Sequence, residues 1–387
     1  MKRTFVVLAL LLVAGVFLAF ADDAATPAGI TFSAWGRQIY APLMDNNTTT
    51  TSGVGSGIGT SWGNAPRIGF SVAGNSEYSG FWFHMGVDNN AFSITDDEGG
   101  WVKPLPGLEI QIGRAYNDTL RGEADFGSYD WIRTQWEGDD TTFNRIGGVK
   151  GGGSAPIDAI VSYKTGGLFV FACQADSAAT TGLAQALDTW SAANTDPNGV
   201  YNNLSYGAGY TIAGIGTIKA QRLGYSVNSS TTVGQYQAAF NLSAVPNLYA
   251  EAAIWLPDNN TANYTFKLPV YLSYKAGAAN IHALFIYDDF TSGNAGMNAG
   301  AGLDYDLGGG LGVGGDIRYA NQYYMNDNAG IAQNSTSFLI DLTKGFSNGS
   351  VGIGFQYCTT DFVNQIDGSL DATQGHWAVP IKVEYWF

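Results

Sequence analysis

The sequence predicts an all-β fold: a closed antiparallel transmembrane β-barrel of about 16–18 strands. Three observations predict it. Segment after segment alternates apolar and polar side chains with a period of two, which is the spacing of a strand with unlike faces. Tight turn signals alternate with long polar stretches between those segments. Beyond residue 21, no apolar run reaches the roughly 18 residues that a transmembrane helix needs, so any crossing is made by strands.

The elements follow in order. Ile30, Phe32 and Ala34 oppose Thr31, Ser33 and Arg37, with Trp35 and Ile39 blurring the polar face. Ile68, Phe70 and Val72 oppose Arg67, Gly69 and Ser71; Phe81, Phe83, Met85 and Val87 oppose Trp82, His84 and Asp88. Leu108, Ile110 and Ile112 oppose Glu109 and Gln111, and Ala159, Val161 and Tyr163 oppose Asp158, Ser162 and Lys164. The clearest strand runs from Phe266 to Tyr274, with Lys267, Tyr271, Ser273 and Lys275 on its other side. Ile281 to Tyr287, Leu303 and Tyr305, Ile317 and Tyr319, and Phe338 to Leu342 continue the pattern against His282, Asp304, Arg318 and Asp341. Each segment is about 9–11 residues, enough for a tilted strand to cross a bilayer. Ala213 to Gly216, Val245 to Asn247 and Gly308 to Gly310 read as tight turns; Asp45 to Gly63, Ser177 to Asn203 and Tyr324 to Ser335 read as long loops. Only the part between Asn89 and Gly107 resists phasing.

Composition fits a barrel: 52 Gly, 21 Tyr, 21 Phe and 10 Trp, with 13% charged residues. Tyrosines at the ends of apolar faces (Tyr274, Tyr287, Tyr305, Tyr319, Tyr357, Tyr385) predict interfacial girdles. A large soluble jelly roll or sandwich would also alternate, but its dry core would tolerate the charges of the polar faces poorly. Lys2 and Arg3, the apolar run Phe5 to Phe20 and the Ala19-Phe20-Ala21 site predict a cleaved signal peptide over residues 1–21, leaving 22–387 as the barrel. Without Lys2 and Arg3 the chain carries 16 basic and 33 acidic residues. That excess argues against nucleic acid and suits a cation-attracting vestibule. Cys173, sharing a face with Phe169 and Phe171, is expected outward, and Cys358, with Gln356 and Gly354, inward, so no disulfide is expected.

The last segment sets Val379, Ile381, Val383, Tyr385 and Phe387 against Pro380, Lys382, Glu384 and Trp386. It resembles the C-terminal signal of bacterial outer-membrane β-barrels. The resemblance implies that Val383, Tyr385 and Phe387 are read by the barrel-assembly machinery, in a protein of the bacterial outer membrane. Against earlier strands of the same phase, this segment must pair with the one at Ile30 to Tyr40 to close the sheet.

Arg114 to Pro156 is the longest interruption, rich in charge and interleaved with Phe126, Tyr129, Trp131, Trp136 and Phe143. Those rings suit a loop that packs against something. Ile110-Gln111-Ile112-Gly113-Arg114 followed by an acidic loop is similar to the strand and third loop of general porins, and Trp101 to Gly122 resembles porin-like outer-membrane proteins of spirochaetes. Porin resemblance implies that residues 115–156 fold into the lumen as a constriction loop, with homotrimers embedded in the lipid bilayer. Arg114 has lipid-face parity, so it belongs at a strand end or after a bulge. A constriction needs opposed charges across a wet neck. Asp118, Glu123 and Asp125 are the candidates on the loop; Arg37, Arg67, Arg318 and Lys382 are those on inward faces. The alternative is that these charges only keep the lumen wet or pair on extracellular loops.

His84, His282 and His376 have no ligand-spaced neighbours, and the Gly147 to Gly153 tract lacks Walker spacing; Asp96-Asp97-Glu98 and Asp139-Asp140 read as acidic loop clusters that could hold calcium, but no twelve-residue calcium loop is present. No catalytic, cofactor or metal residues are therefore assigned, and an enzyme is not expected. Three functions remain open. The first is a porin for passive diffusion of small hydrophilic solutes with a weak cation preference. The second is a substrate-selective channel, for instance for sugars, using inward Trp35, Trp82, Tyr249, Trp255 and Tyr271. The third is a non-transport surface barrel acting as an adhesin or structural protein.

Overall fold

A computed structural model of the chain describes residues 29–45, 50–55, 67–88, 91–113, 116–117, 149–150, 158–175, 204–223, 234–258, 262–329, 332–359 and 376–387. The predicted signal segment 1–21, Arg114, and the loop 115–156 apart from two short stretches lie outside them.

The first strands are β1 (Gly29–Asp45), β2 (Thr50–Gly55), β3 (Arg67–Asn75), β4 (Ser79–Asp88), β5 (Ala91–Leu105), β6 (Leu108–Gly113), β7 (Tyr116–Asn117) and β8 (Val149–Lys150). Next come β9 (Asp158–Thr165), β10 (Leu168–Ala175), β11 (Leu204–Ile212), β12 (Gly216–Leu223), β13 (Gln235–Leu242), β14 (Leu248–Pro257) and β15 (Tyr264–Ala276). Last are β16 (Ala279–Phe290), β17 (Ala295–Gly308), β18 (Leu311–Ala320), helix α1 (Gln322–Ala329), β19 (Ser335–Phe346), β20 (Gly349–Cys358) and β21 (His376–Trp386).

Eighteen of these strands form one closed antiparallel ring. β1 pairs with β3, and the ladder runs through β4, β5, β6 and β9, then consecutively to β21. β21 returns to β1 from Trp35↔Trp386 to Asp45↔Trp377, as the alternating last segment predicted. Ala34 and Phe387 exchange both backbone hydrogen bonds at 3.1 and 2.8 Å, so the seam is sealed to its last residue. Closure is the physical solution for strands in lipid, where each unpaired backbone group costs several kcal/mol. β2 stands outside the ring and covers the part of β1, Ile39 to Asp45, that β3 leaves bare. β7 and β8 form a separate two-residue ladder at the base of the 115–156 loop.

The two rims differ. Eight tight turns gather on one rim, among them the three glycines Gly308, Gly309 and Gly310, all at positive φ between 62° and 88°. Asn247 also takes positive φ, at 64°, in the turn between β13 and β14. The other rim carries the long connections.

The outer face is apolar. Phe32, Ile112 and Ile340 are more than half exposed, as lipid-facing residues should be in the isolated chain. Aromatic side chains band both ends. Phe266 with Tyr287, Phe338 with Tyr357 and Phe355 with Trp377 pack ring against ring near the long-loop rim; Tyr274, Tyr305 and Tyr385 lie toward the turns. Eight residues separate Phe266 from Tyr274, which is about 20 Å along the axis of a tilted strand. This matches the apolar band of a barrel spanning a membrane.

Three sequence expectations are corrected. Phe169, Phe171 and Cys173 face inward, where they cluster with Ile160 and the partly buried Trp82. Tyr163 and Val161, on the opposite parity of the neighbouring strand, are the exposed residues. Both cysteines are buried, and neither is part of a disulfide. Asp96-Asp97-Glu98 is part of strand β5 rather than a loop. A register shift there sets Ile94 opposite Met85 but Glu98 opposite Phe83, and this bulge breaks the alternation. Finally, the polar stretch after β18 contains helix α1.

Candidate functional site

The inner wall is where chemistry can happen, because a barrel's inward residues meet water, solutes and each other. Its charged side chains are organised into pairs by strand register. On β12 and β14, the Lys219 ammonium donates to Glu251 at 2.6 Å, with both side chains at most 5% exposed. The Tyr249 hydroxyl donates to the same carboxylate at 3.1 Å. Beside them the Gln221 side-chain amide donates to Gln237 at 2.7 Å. Removing one partner of such a buried pair takes away the nearest counter-charge of the other. Glu251→Ala is therefore expected to cost about 3–5 kcal/mol of stability, measured by urea unfolding in lipid vesicles. The double variant Lys219→Met/Glu251→Met should recover most of that loss.

The predicted basic residues fall as follows. Arg37 lies on the inner face of β1 and donates to Glu384 of β21 at 2.8 Å. Lys382, two residues before Glu384, approaches the same carboxylate at 3.7 Å. Arg318 is inward and buried on β18. The Arg67 backbone sits opposite Arg37 in the β1–β3 ladder. Thus Arg37 and Lys382 are brought together through Glu384, with Arg318 three strands away. Asp118, Glu123 and Asp125 lie outside the described residues. Val383 and Phe387 are exposed on the outer face, with Tyr385 on the same parity packed over Gly36, where a Cβ would collide with the ring.

Sequence reasoning missed a carboxylate patch nearer the turn rim. Asp304, Asp316 and Asp341 face inward on β17, β18 and β19. Gly314 opens the room for it: a Cβ there would lie 2.7 Å from an Asp341 oxygen and 3.2 Å from one of Asp304. His282 Nδ1 is 3.4 Å from Asp304, whose side chain is 57% exposed. Another group was also missed. Lys267 on β15 lies 3.3 Å from Asp288 on β16 and 3.3 Å from Asp327 on α1. The sequence held no signal for these pairings, because they depend on register and on a connection about 60 residues further on.

Arg222 shows how the wall handles a charge of lipid-face parity. It sits at the long-loop end of β12, where its guanidinium donates to Asp258 at 2.7 Å and to the Leu204 carbonyl. Below it, the outward alanines Ala208, Ala220 and Ala238 line a shallow apolar groove of about 510 Å³.

The inward aromatics behave in two ways. Trp35 stacks on His84 at 6.3 Å, and the His84 ring shares a 2.8 Å hydrogen bond with Ser71. Tyr249 and Tyr271 meet at 5.8 Å. Trp255 and Tyr271 are at most 5% exposed, which is the environment of a space-filling side chain. Among the described residues no cluster of three or more His, Cys, Asp or Glu side chains is arranged to hold a metal ion.

A closed ring, an apolar belt between aromatic bands and a charged inner wall define a porin-type β-barrel. Two solved structures agree on the fold. Two variants of a porin from Rh. blastica align over 92% of this chain and 100% of their own, at 11% and 12% identity with TM-scores of 0.51 and 0.50. An anion-selective porin from Comamonas acidovorans aligns over 93% of this chain and 100% of its own at 11% identity, with a TM-score of 0.46. No protein-family model matches the chain, and no curated protein matches its sequence.

Proposed function

We propose that the chain forms a water-filled channel in the bacterial outer membrane for passive diffusion of small hydrophilic solutes, with a weak preference for cations. The observation that carries this reading is the segregation of the wall: exposed Phe, Ile, Leu and Tyr outside, and Lys, Arg, Asp, Glu, Gln and His inside. A barrel meant only as a surface scaffold does not need its interior lined with charge, whereas a wet conduit does. The predicted signal peptide and the terminal Val383, Tyr385 and Phe387 support export and insertion, and the porin resemblance supports a homotrimer. Purified, heat-modifiable protein in a planar bilayer is the test. Stepwise conductance is expected, and its absence would rule out a channel.

The cation preference rests on the net acidic excess and on the Asp304, Asp316 and Asp341 patch. Wall carboxylates raise the local concentration of cations. In a KCl gradient the zero-current potential should have the cation-selective sign. Replacing all three by Asn should move it toward zero while single channels keep conducting. An unchanged potential would place the selectivity elsewhere.

A further inference from the structure

Helix α1 lies on the inner side of the wall. It leaves β18 at the long-loop rim, and its Asp327 reaches Lys267 on β15, past the intervening strands β16 and β17. Lys267 has the inward parity of β15, opposite the outward Phe266 and Leu268, and lies about 10 Å below the start of that strand. The helix therefore lies along the lumen face.

It is held at both ends. At its root, the Asn321 carboxamide oxygen accepts from the Tyr324 amide at 3.0 Å, capping the helix, and from the Met297 amide at 3.1 Å. The Asn321 side-chain NH₂ donates to the Ala295 carbonyl at 2.8 Å, so the cap is tied to β17. The returning chain adds Asn334, whose side-chain oxygen accepts from the Gln322 amide at 2.8 Å. At the tip, Asp327 accepts from Lys267 and from the Asn263 side chain. Tyr324 and Met325, in between, have no exposed surface. The helix has no continuous apolar stripe, and its mean hydropathy is low. The polar contacts at root and tip hold it together with the buried Tyr324 and Met325.

We propose that α1 is a luminal arm that sets the width of the diffusion pathway, and that Lys267 is the positioning residue that holds it against the wall. Lys267 is shared between Asp288, which is fixed in β16, and Asp327, which is carried by the arm. Losing the Asp327 contact frees the tip while the wall pair survives. This rests on the channel reading.

The test is single-channel recording together with exclusion of graded polyethylene glycols. A ring of 18 strands has a backbone diameter of about 35 Å and a free lumen of about 25 Å once inward side chains are allowed for. An α-helix with its side chains, about 10–12 Å across, occupies about a fifth of that cross-section. Replacing residues 322–333 by a short Gly-Ser turn should raise conductance by at least about a fifth and admit larger polymers. Asp327→Asn should raise open-channel noise and conductance in the same direction. The exchange Lys267→Glu/Asp327→Lys, which keeps an opposite charge at each place, should return the wild-type exclusion limit. All variants would be compared at equal heat-modifiable yield, and Asp327 lies on no strand of the barrel. Wild-type conductance and exclusion limits in every variant would overturn the arm. Silence of the wild type would instead indict the channel itself.

Discussion

Removing Tyr385 to Phe387 is expected to abolish most membrane insertion while leaving the conductance of any barrel that does insert unchanged. The deletion takes away the Ala34–Phe387 exchange and the Trp35↔Trp386 and Gly36↔Tyr385 pairs, together with the ring packed over Gly36. In lipid each unsatisfied backbone group costs several kcal/mol, so losing two or more bonds lowers the closed population by roughly 100-fold or more. The inner wall loses Trp386 at its turn end but keeps Arg37, Lys382 and Glu384, so the charged wall of a closed barrel is retained. The measurement is the heat-modifiable fraction in outer-membrane preparations beside single-channel conductance. Normal insertion with altered conductance would contradict the argument.

An arginine placed on the outer face should be nearly as damaging, and the neighbouring parity should tolerate it. Phe285 is 43% exposed, midway along β16 and outward. Phe285→Arg is expected to destabilise the barrel by about 2–4 kcal/mol, the cost of a guanidinium at the bilayer midplane. Thr343→Arg, on the inward parity of β19, should cost less than about 1 kcal/mol, because its side chain reaches the lumen. Urea unfolding in vesicles measures both. Equal losses would mean that the faces are assigned wrongly or that the belt does not contact lipid.

How far the sequence carries follows from what each feature depends on. The wall was legible because side-chain period is a local property: Phe266 to Tyr274 and Val379 to Phe387 announce their faces without help from any partner. The seam was legible too, since a closed sheet must join its first and last strands. Cys173 was misplaced because Phe169 and Phe171 are apolar, and the rule that apolar faces point out fails where the lumen holds its own hydrophobic cluster. β5 defied phasing because its bulge adds residues on one strand only. Helix α1 had no signature at all. Its sequence has no apolar periodicity, and its place is set by Lys267, far away in the chain. The same limit applies to the ion pairs. Lys219 could be assigned inward by parity, but register alone chose Glu251 as its partner.

The β1–β21 pairing also governs the order in which the molecule can be built. Arg37 and Glu384 are 347 residues apart, whereas most neighbouring strands are joined by turns of a few residues. Closing that longest loop costs about 4 kcal/mol more chain entropy than closing a hairpin. The hairpins can therefore zip early, and the ring cannot complete until they have. Until then two bare edges, one on β1 and one on β21, face whatever surrounds them, and they are complementary to the edges of every other unfinished copy. The barrel is thus safe only when whole, and the chain's hazard lies in the interval before its ends meet.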